Sequence, residues 1–472
     1  MFRGIAWTAL WRWTSQAISW GATIYTVRML NPADFGIVAM ATIPIGLARL
    51  IEDLGLDTVV IQDRSLEPAH LRQLAGAALV LGVCLTCFFV ALAEAIAKYF
   101  HEPDVAIIVS VLSITFVVDA LQILPRAMLQ RDLRFQTLAW LAGTQVIIAA
   151  FLRVACAAAG LGFWALVVPM VVSHIVVTVA FVFLRPYGIA WPRHLRKLSR
   201  SLISGWQLIV SRLSYYGYST IDSTIIGRFL GKEDLGIYGM AMTFASVATR
   251  EFTSLVNPVL PGVFTTIQSS TDELRRYFLL LSEAIAYLSI PAAIGLAITA
   301  DDFVLLALGD KWQGVIVPLR ILCLYMFINS CQHMLSPILV WTGRFSVNMW
   351  LNLFALAVIP ACVYFSVGYG IDGVAWALVF GFPLSIAPAI PIVGKLLKIS
   401  FFTFWQALRP AVVSCAGMSI AVLLLRQMLP LDWHHGIRLG IQAALGATVY
   451  ICILWVFFRE RLLEIYGTMR GD

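Results

Sequence analysis

The sequence predicts an all-α integral membrane protein of about 14 transmembrane helices, with two parallel-repeat lobes of six helices enclosing a central cavity and two further helices at the C-terminus. Three observations predict it. Of 472 residues, 60% are hydrophobic and 12% charged, and mean hydropathy is +0.86. A soluble domain carries about 25% charged residues, so this chain has half the charge that a water-facing surface needs. The apolar runs are long enough to cross ~30 Å of hydrocarbon at ~1.5 Å per residue. Lastly, the stretch LNPADFGIVAMA, Leu30 to Ala41, returns 200 residues later without a gap as LGKEDLGIYGMA, Leu230 to Ala241.

The spans are expected near 5–28, 35–56, 73–97, 104–125, 136–158, 161–184, 203–227, 235–258, 277–300, 313–341, 346–367, 372–394, 403–425 and 437–458. The first, seventh and eighth are the most polar. Arg12, Thr14, Ser15 and Gln16 interrupt the first, so it is no signal-peptide core and no cleavage is expected. The eight cysteines all fall inside apolar runs and are expected to be buried free thiols; no metal site is expected. The net charge of +7 follows from loop asymmetry rather than from a nucleic-acid partner. With both termini in the cytoplasm, 19 basic residues lie in inward segments and seven in outward ones, which predicts that orientation.

The repeated phrase falls at the outer end of an even-numbered span in both copies, the second and the eighth. Arg28, Leu30, Asp34, Gly36, Ile37, Met40 and Ala41 recur as identical residues at the 200-residue offset. Six spans separate the copies, an even number, so the repeat is parallel, a standard transporter design. It divides the chain into an N-terminal lobe at 1–185, a basic cytoplasmic linker at 186–200, a C-terminal lobe at 201–398 and an appendage at 399–472.

Ionisable residues inside a span are costly and face a protein interior or a wet cavity. Arg12 and Arg212 occupy equivalent depths in the two lobes, as do Arg49 and Arg250. All four converge on the inner third of the membrane, where they would meet an anion entering from the cytoplasm. Hydroxyls and amides accompany them at helical spacing. Gln207, Tyr215 and Tyr218 of the seventh span are candidate sugar contacts. Glu52, Asp53, Asp119, Asp222 and Glu251 are candidate ion-coupling groups. The plain alternative is that these arginines and acids pair and hold helices together, or that long arginines snorkel to the interface. Arg153, Arg320, Arg409 and Glu283 stand isolated in the sequence and read as structural. Trp7, Trp11, Trp13 and Trp20 read as packing or interface anchors.

NPADFGIVAMA followed by IGLARLIEDLGLDTVVIQDR, then LQRDLRF, then STIIGRFLGKEDLGIYGMA, resembles the Wzx-type polysaccharide flippases. More narrowly, it is similar to the branch exporting exopolysaccharide units such as colanic acid, within the MOP superfamily of MATE-type multidrug exporters and lipid II flippases. The resemblance covers roughly residues 1–400. It implies transfer of an undecaprenyl-pyrophosphate-linked oligosaccharide from the cytoplasmic to the outer leaflet of the bacterial inner membrane, for exopolysaccharide or lipopolysaccharide synthesis. It also implies alternating access and coupling to an H⁺ or Na⁺ gradient or to membrane potential, with no cofactor. The expected partners are the lipid-linked glycan, membrane lipids and the polysaccharide polymerase machinery, with the protein acting as a monomer. An ion-coupled drug exporter of the same superfamily is the nearest alternative, but it would favour an acid-dominated cavity. A membrane polymerase or ligase would need a long external loop and convergent catalytic groups, and the sequence has neither. No GxxxxGK[ST] loop is present for ATP.

Overall fold

The structure, a computed structural model, describes residues 2–52, 68–191, 206–256, 270–332, 334–430 and 433–470. Every regular element among them is a helix. In order the α-helices are α1 (Phe2–Met29), α2 (Pro32–Glu52), α3 (Pro68–Phe100), α4 (Asp104–Arg131), α5 (Phe135–Ala158), α6 (Trp164–Leu184), α7 (Trp206–Phe229) and α8 (Lys232–Val256). There follow α9 (Thr271–Ile298), α10 (Ala300–Ala307), α11 (Ile316–Gln332), α12 (Leu335–Trp341), α13 (Phe345–Ser366), α14 (Gly370–Ile386), α15 (Ala389–Leu397), α16 (Phe401–Met428) and α17 (His435–Arg470). Ten helical stretches among the described residues are long and apolar enough to cross a membrane. In hydrocarbon no water can satisfy a backbone amide, so intrahelical bonding is the available solution for a chain this apolar. The polar α1, α7 and α8 are helical as well, over 28, 24 and 25 residues.

The chain divides into two compact units, Met1–Gly236 and Ile237–Asp472. In the first, α4 is central and packs against α2, α3, α5 and α6. Val105, Ile108, Val109, Leu112 and Phe116 of α4 recur at helical spacing and are all buried. Trp11 packs on Trp140, joining α1 to α5. Pro125 lies inside α4 and cannot donate to the carbonyl four residues back, that of Leu121. Tyr187, just past α6, donates its hydroxyl to that oxygen at 2.8 Å. The first residues of the basic linker are therefore anchored to this unit. Arg185 pairs with Asp132, and the Ala190 amide donates to the Arg72 carbonyl. Residues 192–205 lie outside the described residues.

The second unit is built round α9, which packs on α11 and α16. Its start is fixed by Ser270, whose hydroxyl accepts from the Glu273 amide in a Ser-x-x-Glu start sequence. Ala286, Tyr287 and Ile290 share one apolar core with Leu408, Ala411, Cys415, Met418 and Val422 of α16 and with Tyr450 and Leu454 of α17. Here too a proline frees a carbonyl inside the helix. Pro291 leaves the Tyr287 oxygen without its helical donor, and the Tyr450 hydroxyl donates to it at 2.9 Å. The two C-terminal helices are thus integrated into this unit's core.

Several expectations are corrected here. Glu283 and Arg320 are not isolated. Glu283, 0% exposed, accepts from Arg461 of α17 and from the Tyr287 hydroxyl. Arg320 and Arg426 both pair with Asp301, and Asp302 meets His435 at 2.8 Å, Gln442 at 3.0 Å and Arg438 at 3.5 Å. The ion pairs were hidden because each charged partner lies more than a hundred residues away or on a short connecting helix. Not all the cysteines are buried either. Cys84, Cys87 and Cys452 lie on helix faces that the protein leaves uncovered, where a thiol is apolar enough to face lipid.

The two copies of the repeated phrase meet. A Cβ at Gly36 would stand 1.7 Å from the Lys232 carbonyl oxygen, and one at Gly236 would stand 1.9 Å from that of Pro32. Pro32 and Lys232, like Gly36 and Gly236, are 200 residues apart, so the contact is reciprocal, and all four residues belong to the first unit. Only glycine allows this approach. Gly36→Val should lower the thermal midpoint of the purified protein, at a cost of about 1–3 kcal/mol for forced separation of the two helix starts. Gly239→Ala, where a Cβ meets nothing within 4 Å, should leave it unchanged or slightly raised. Tyr450→Phe strands the Tyr287 carbonyl in an apolar core and should cost about 1–3 kcal/mol in the same measurement.

Candidate functional site

The polar site residues of the first unit are positioned by the contact of α2 with α7. Tyr216 donates its hydroxyl to the Ile43 carbonyl at 2.7 Å, and Gly46 makes room for it. A Cβ at Gly46 would lie 2.2 Å from that hydroxyl. The start of α8, which follows the end of α7, lies at the start of α2, so α2 and α7 run antiparallel. Arg49 is six residues beyond Ile43, ~9 Å along α2, and Arg212 is four residues before Tyr216, ~6 Å along α7. The two arginines therefore occupy neighbouring levels on packed helices. The Arg212 side chain is exposed, and Tyr215, 59% exposed, meets Tyr218 edge-on with ring centroids 5.3 Å apart. Gln207 is half-buried nearer the start of α7.

Arg49 is half-buried and donates from Nη2 to the Thr115 hydroxyl at 3.2 Å. Among the described residues its Nε has no hydrogen-bond partner and it makes no ion pair. Glu52 is buried one turn further along α2. Asp53 lies outside the described residues. Arg12 and Glu251 sit on α1 and α8, but their side chains are not among those described. Arg250 is exposed on α8 in the second unit. Asp222 is buried in α7 and accepts from the Ser223 amide at 2.6 Å.

Asp119 lies in the middle of α4. It is hydrogen-bonded to Nε2 of His174 on α6, whose Nδ1 meets the Gln145 amide nitrogen of α5 at 3.0 Å. One turn on, Thr178 donates to Gln122 at 3.4 Å. Thr115, the partner of Arg49, precedes Asp119 by one turn on the same face of α4. A polar column thus runs through the interior of this unit, from the Arg49 guanidinium to the imidazole. His174, Gln145 and Thr115 are not among the site residues expected from the sequence. A histidine in an apolar span was a usable signal. Thr115 and Gln145 carried none, because a lone threonine or glutamine in a span satisfies itself in many ways. Arg153 is held by the Thr23 hydroxyl at 3.0 Å, consistent with a structural part.

Chemically, this arrangement presents guanidinium groups that make no carboxylate ion pair among the described residues, flanked by tyrosine rings and hydroxyls. A planar fork of donors suits phosphate oxygens, and exposed rings suit sugar faces. A family model described as a polysaccharide biosynthesis protein matches residues 26–317. The chain belongs to this family. Among curated members, the lipopolysaccharide biosynthesis protein WzxC of Escherichia coli is 25% identical over 345 residues, 71% of this chain and 69% of that one. The succinoglycan biosynthesis transport protein ExoT of Rhizobium meliloti is 23% identical over 483 residues, 99% and 95% of the two chains. Among solved structures, the lipid II flippase MurJ in an inward closed conformation superposes with a TM-score of 0.76 at 11% identity, covering 97% of this chain and all of that one. An inward-facing MATE-family multidrug transporter of the MOP superfamily gives 0.59 at 15% identity, covering 82% and 96%. The expected all-helical fold, shared with MurJ and the MATE transporter, and the expected kinship to Wzx proteins are both found, and this is a multi-pass membrane protein of a polysaccharide biosynthesis family.

Proposed function

We propose that the protein flips undecaprenyl-pyrophosphate-linked oligosaccharide units from the cytoplasmic to the outer leaflet of the bacterial inner membrane, by alternating access, with both termini cytoplasmic. The observation that carries this reading is the placement of Arg49 and Arg212 at neighbouring levels on α2 and α7, in a family named for polysaccharide biosynthesis and on the fold of a lipid flippase. The pyrophosphate brings negative charge to arginines, the glycan meets hydroxyls and tyrosines, and the polyprenyl tail stays in lipid. A polymerase or ligase reading finds no support in the transport names and transporter folds around this chain. A drug-exporter reading would need a cavity dominated by acids, and Arg49 makes no ion pair among the described residues.

Replacing Arg49 or Arg212 by Gln should reduce export about tenfold or more at normal membrane abundance, since a charge-assisted hydrogen bond contributes ~1.5–3 kcal/mol. Lys should rescue only in part, because it loses the planar fork. The same replacement at Arg12 and Arg250 tests the other two arginines. Export is read as accumulated lipid-linked oligosaccharide, identified by mass spectrometry, in a deletion strain carrying each variant. Arg49→Gln combined with Asp53→Asn should stay as defective as Arg49→Gln alone. Recovery in the double variant would mean that the arginine only neutralises an acid. Full export by all four single variants would remove the cationic site. Cysteine labelling should find Asn31 and Gly231 accessible from outside and Arg196 from the cytoplasm; opposite faces for Asn31 and Gly231 would end the parallel-repeat reading.

A further inference from the structure

Thr115 of α4 is 1% exposed, yet its hydroxyl has two hydrogen-bond partners. It donates its single proton to the Leu112 carbonyl of its own helix at 2.6 Å and accepts from Nη2 of Arg49 at 3.2 Å. We propose that Thr115 is a positioning residue for anion binding. It holds the Arg49 guanidinium in one orientation and leaves its charge uncompensated for the phosphate groups of the substrate. The proposal rests on the assignment of Arg49 to those phosphates.

The two bonds make Thr115 a one-way acceptor. A threonine inside a helix satisfies its hydroxyl on a carbonyl three or four residues back, so burial of Thr115 needs nothing from Arg49. With the proton committed to Leu112, the oxygen offers only lone pairs toward α2, and a guanidinium, which can only donate, uses them. A carboxylate in that place would compensate the cation and compete with an incoming anion, as Asp301 compensates Arg320 and Arg426 in the second unit. Thr115 takes one of the five guanidinium N–H groups, and the other four make no hydrogen bond among the described residues. An arginine on a free stem must be ordered when the anion arrives. One already held through Nη2 has been ordered beforehand, which raises affinity without a new contact.

The second unit contains a bridge of the same kind without the cation. The 200-residue offset that pairs Leu30 with Leu230 sets Thr249 opposite Arg49, beside the identical residues Ala48 and Ala248. Thr249 of α8 meets Ser330 of α11 at 3.2 Å, hydroxyl to hydroxyl, and Ser330 donates to the Met326 carbonyl at 2.8 Å. Leaving aside the short α10, α8 and α11 are the second and fourth helices of their repeat, as α2 and α4 are of theirs. In both units a hydroxyl committed to its own helix meets a side chain from the second helix, and in the first that side chain is a guanidinium. The bridge belongs to the architecture, and the charge on it is particular to the first unit.

The test measures equilibrium binding of a short-chain prenyl diphospho-N-acetylglucosamine to the full chain in lipid nanodiscs. Thr115→Val removes the acceptor and should weaken binding roughly threefold to tenfold, the cost of ordering Arg49 as the anion arrives. Thr115→Ser keeps the hydroxyl and should bind as wild type does. Arg49→Gln should weaken binding about tenfold or more. Adding Thr115→Val to Arg49→Gln should then change nothing further, because Thr115 acts through the guanidinium. A threonine that only supports packing would cost as much in the Arg49→Gln protein as in wild type. That result overturns the inference and leaves the transport reading standing. So does a Thr115→Val protein that binds like wild type, or a Thr115→Ser protein that binds as weakly as Thr115→Val. An Arg49→Gln protein that binds as tightly as wild type removes the arginine site on which both rest.

Discussion

Everything in this protein answers to one constraint: a polar group in hydrocarbon must find its partner inside the protein. Helices meet it for most of the backbone, and prolines break it at identifiable places. Two of those breaks are repaired by a tyrosine from a neighbouring segment, Tyr187 on the Leu121 carbonyl and Tyr450 on the Tyr287 carbonyl. In each case a proline placed inside a long helix is tolerated because another element supplies the missing donor. The repair also fixes that element in place, which is how the end of α6 and the body of α17 acquire defined positions.

Charged side chains obey the same constraint, and Arg49 does so differently from the paired acids of the second unit. In the second unit three acids tie helices together: Glu283 to Arg461, Asp301 to Arg320 and Arg426, Asp302 to His435 and Arg438. Breaking any buried pair would strand a charge, so these groups resist change and suit a supporting part. In the first unit Arg49, among the described residues, is held by a threonine hydroxyl, a neutral and weaker partner. A cation held that way keeps most of its capacity for an outside anion. The difference between a locked charge and an available one separates scaffold from site more clearly than depth in the membrane does.

The helical class was legible from composition and run length, and the polar α1, α7 and α8 from the spacing of the repeat rather than from hydropathy. What could not be read was pairing. The partner of Glu283 is 178 residues away, and that of Asp119 is 55 away in a different span. Depth arguments place residues along a helix but not around it. Arg320 therefore looked isolated, and Cys84 looked buried though its face is open. Asp119 was visible as an acid in a span, whereas His174 and Gln145, which complete its surroundings, became visible only through packing. Tyr216 could be seen beside the site residues, but its hydrogen bond to Ile43 depends on the space that Gly46 leaves.

The reciprocal seat of Gly36 against Lys232, and of Gly236 against Pro32, bears on how a duplicated sequence drifts apart. Once two halves of a chain are free to diverge, most positions lose their likeness, because each answers to its own surroundings. Residues at a self-contact cannot do so independently: bulk added to one copy presses on the main chain of the other. Such a place keeps its wording in both halves long after neighbouring text has been rewritten. The surviving phrase is then less a fossil of common origin than a record of where the two copies still lean on each other.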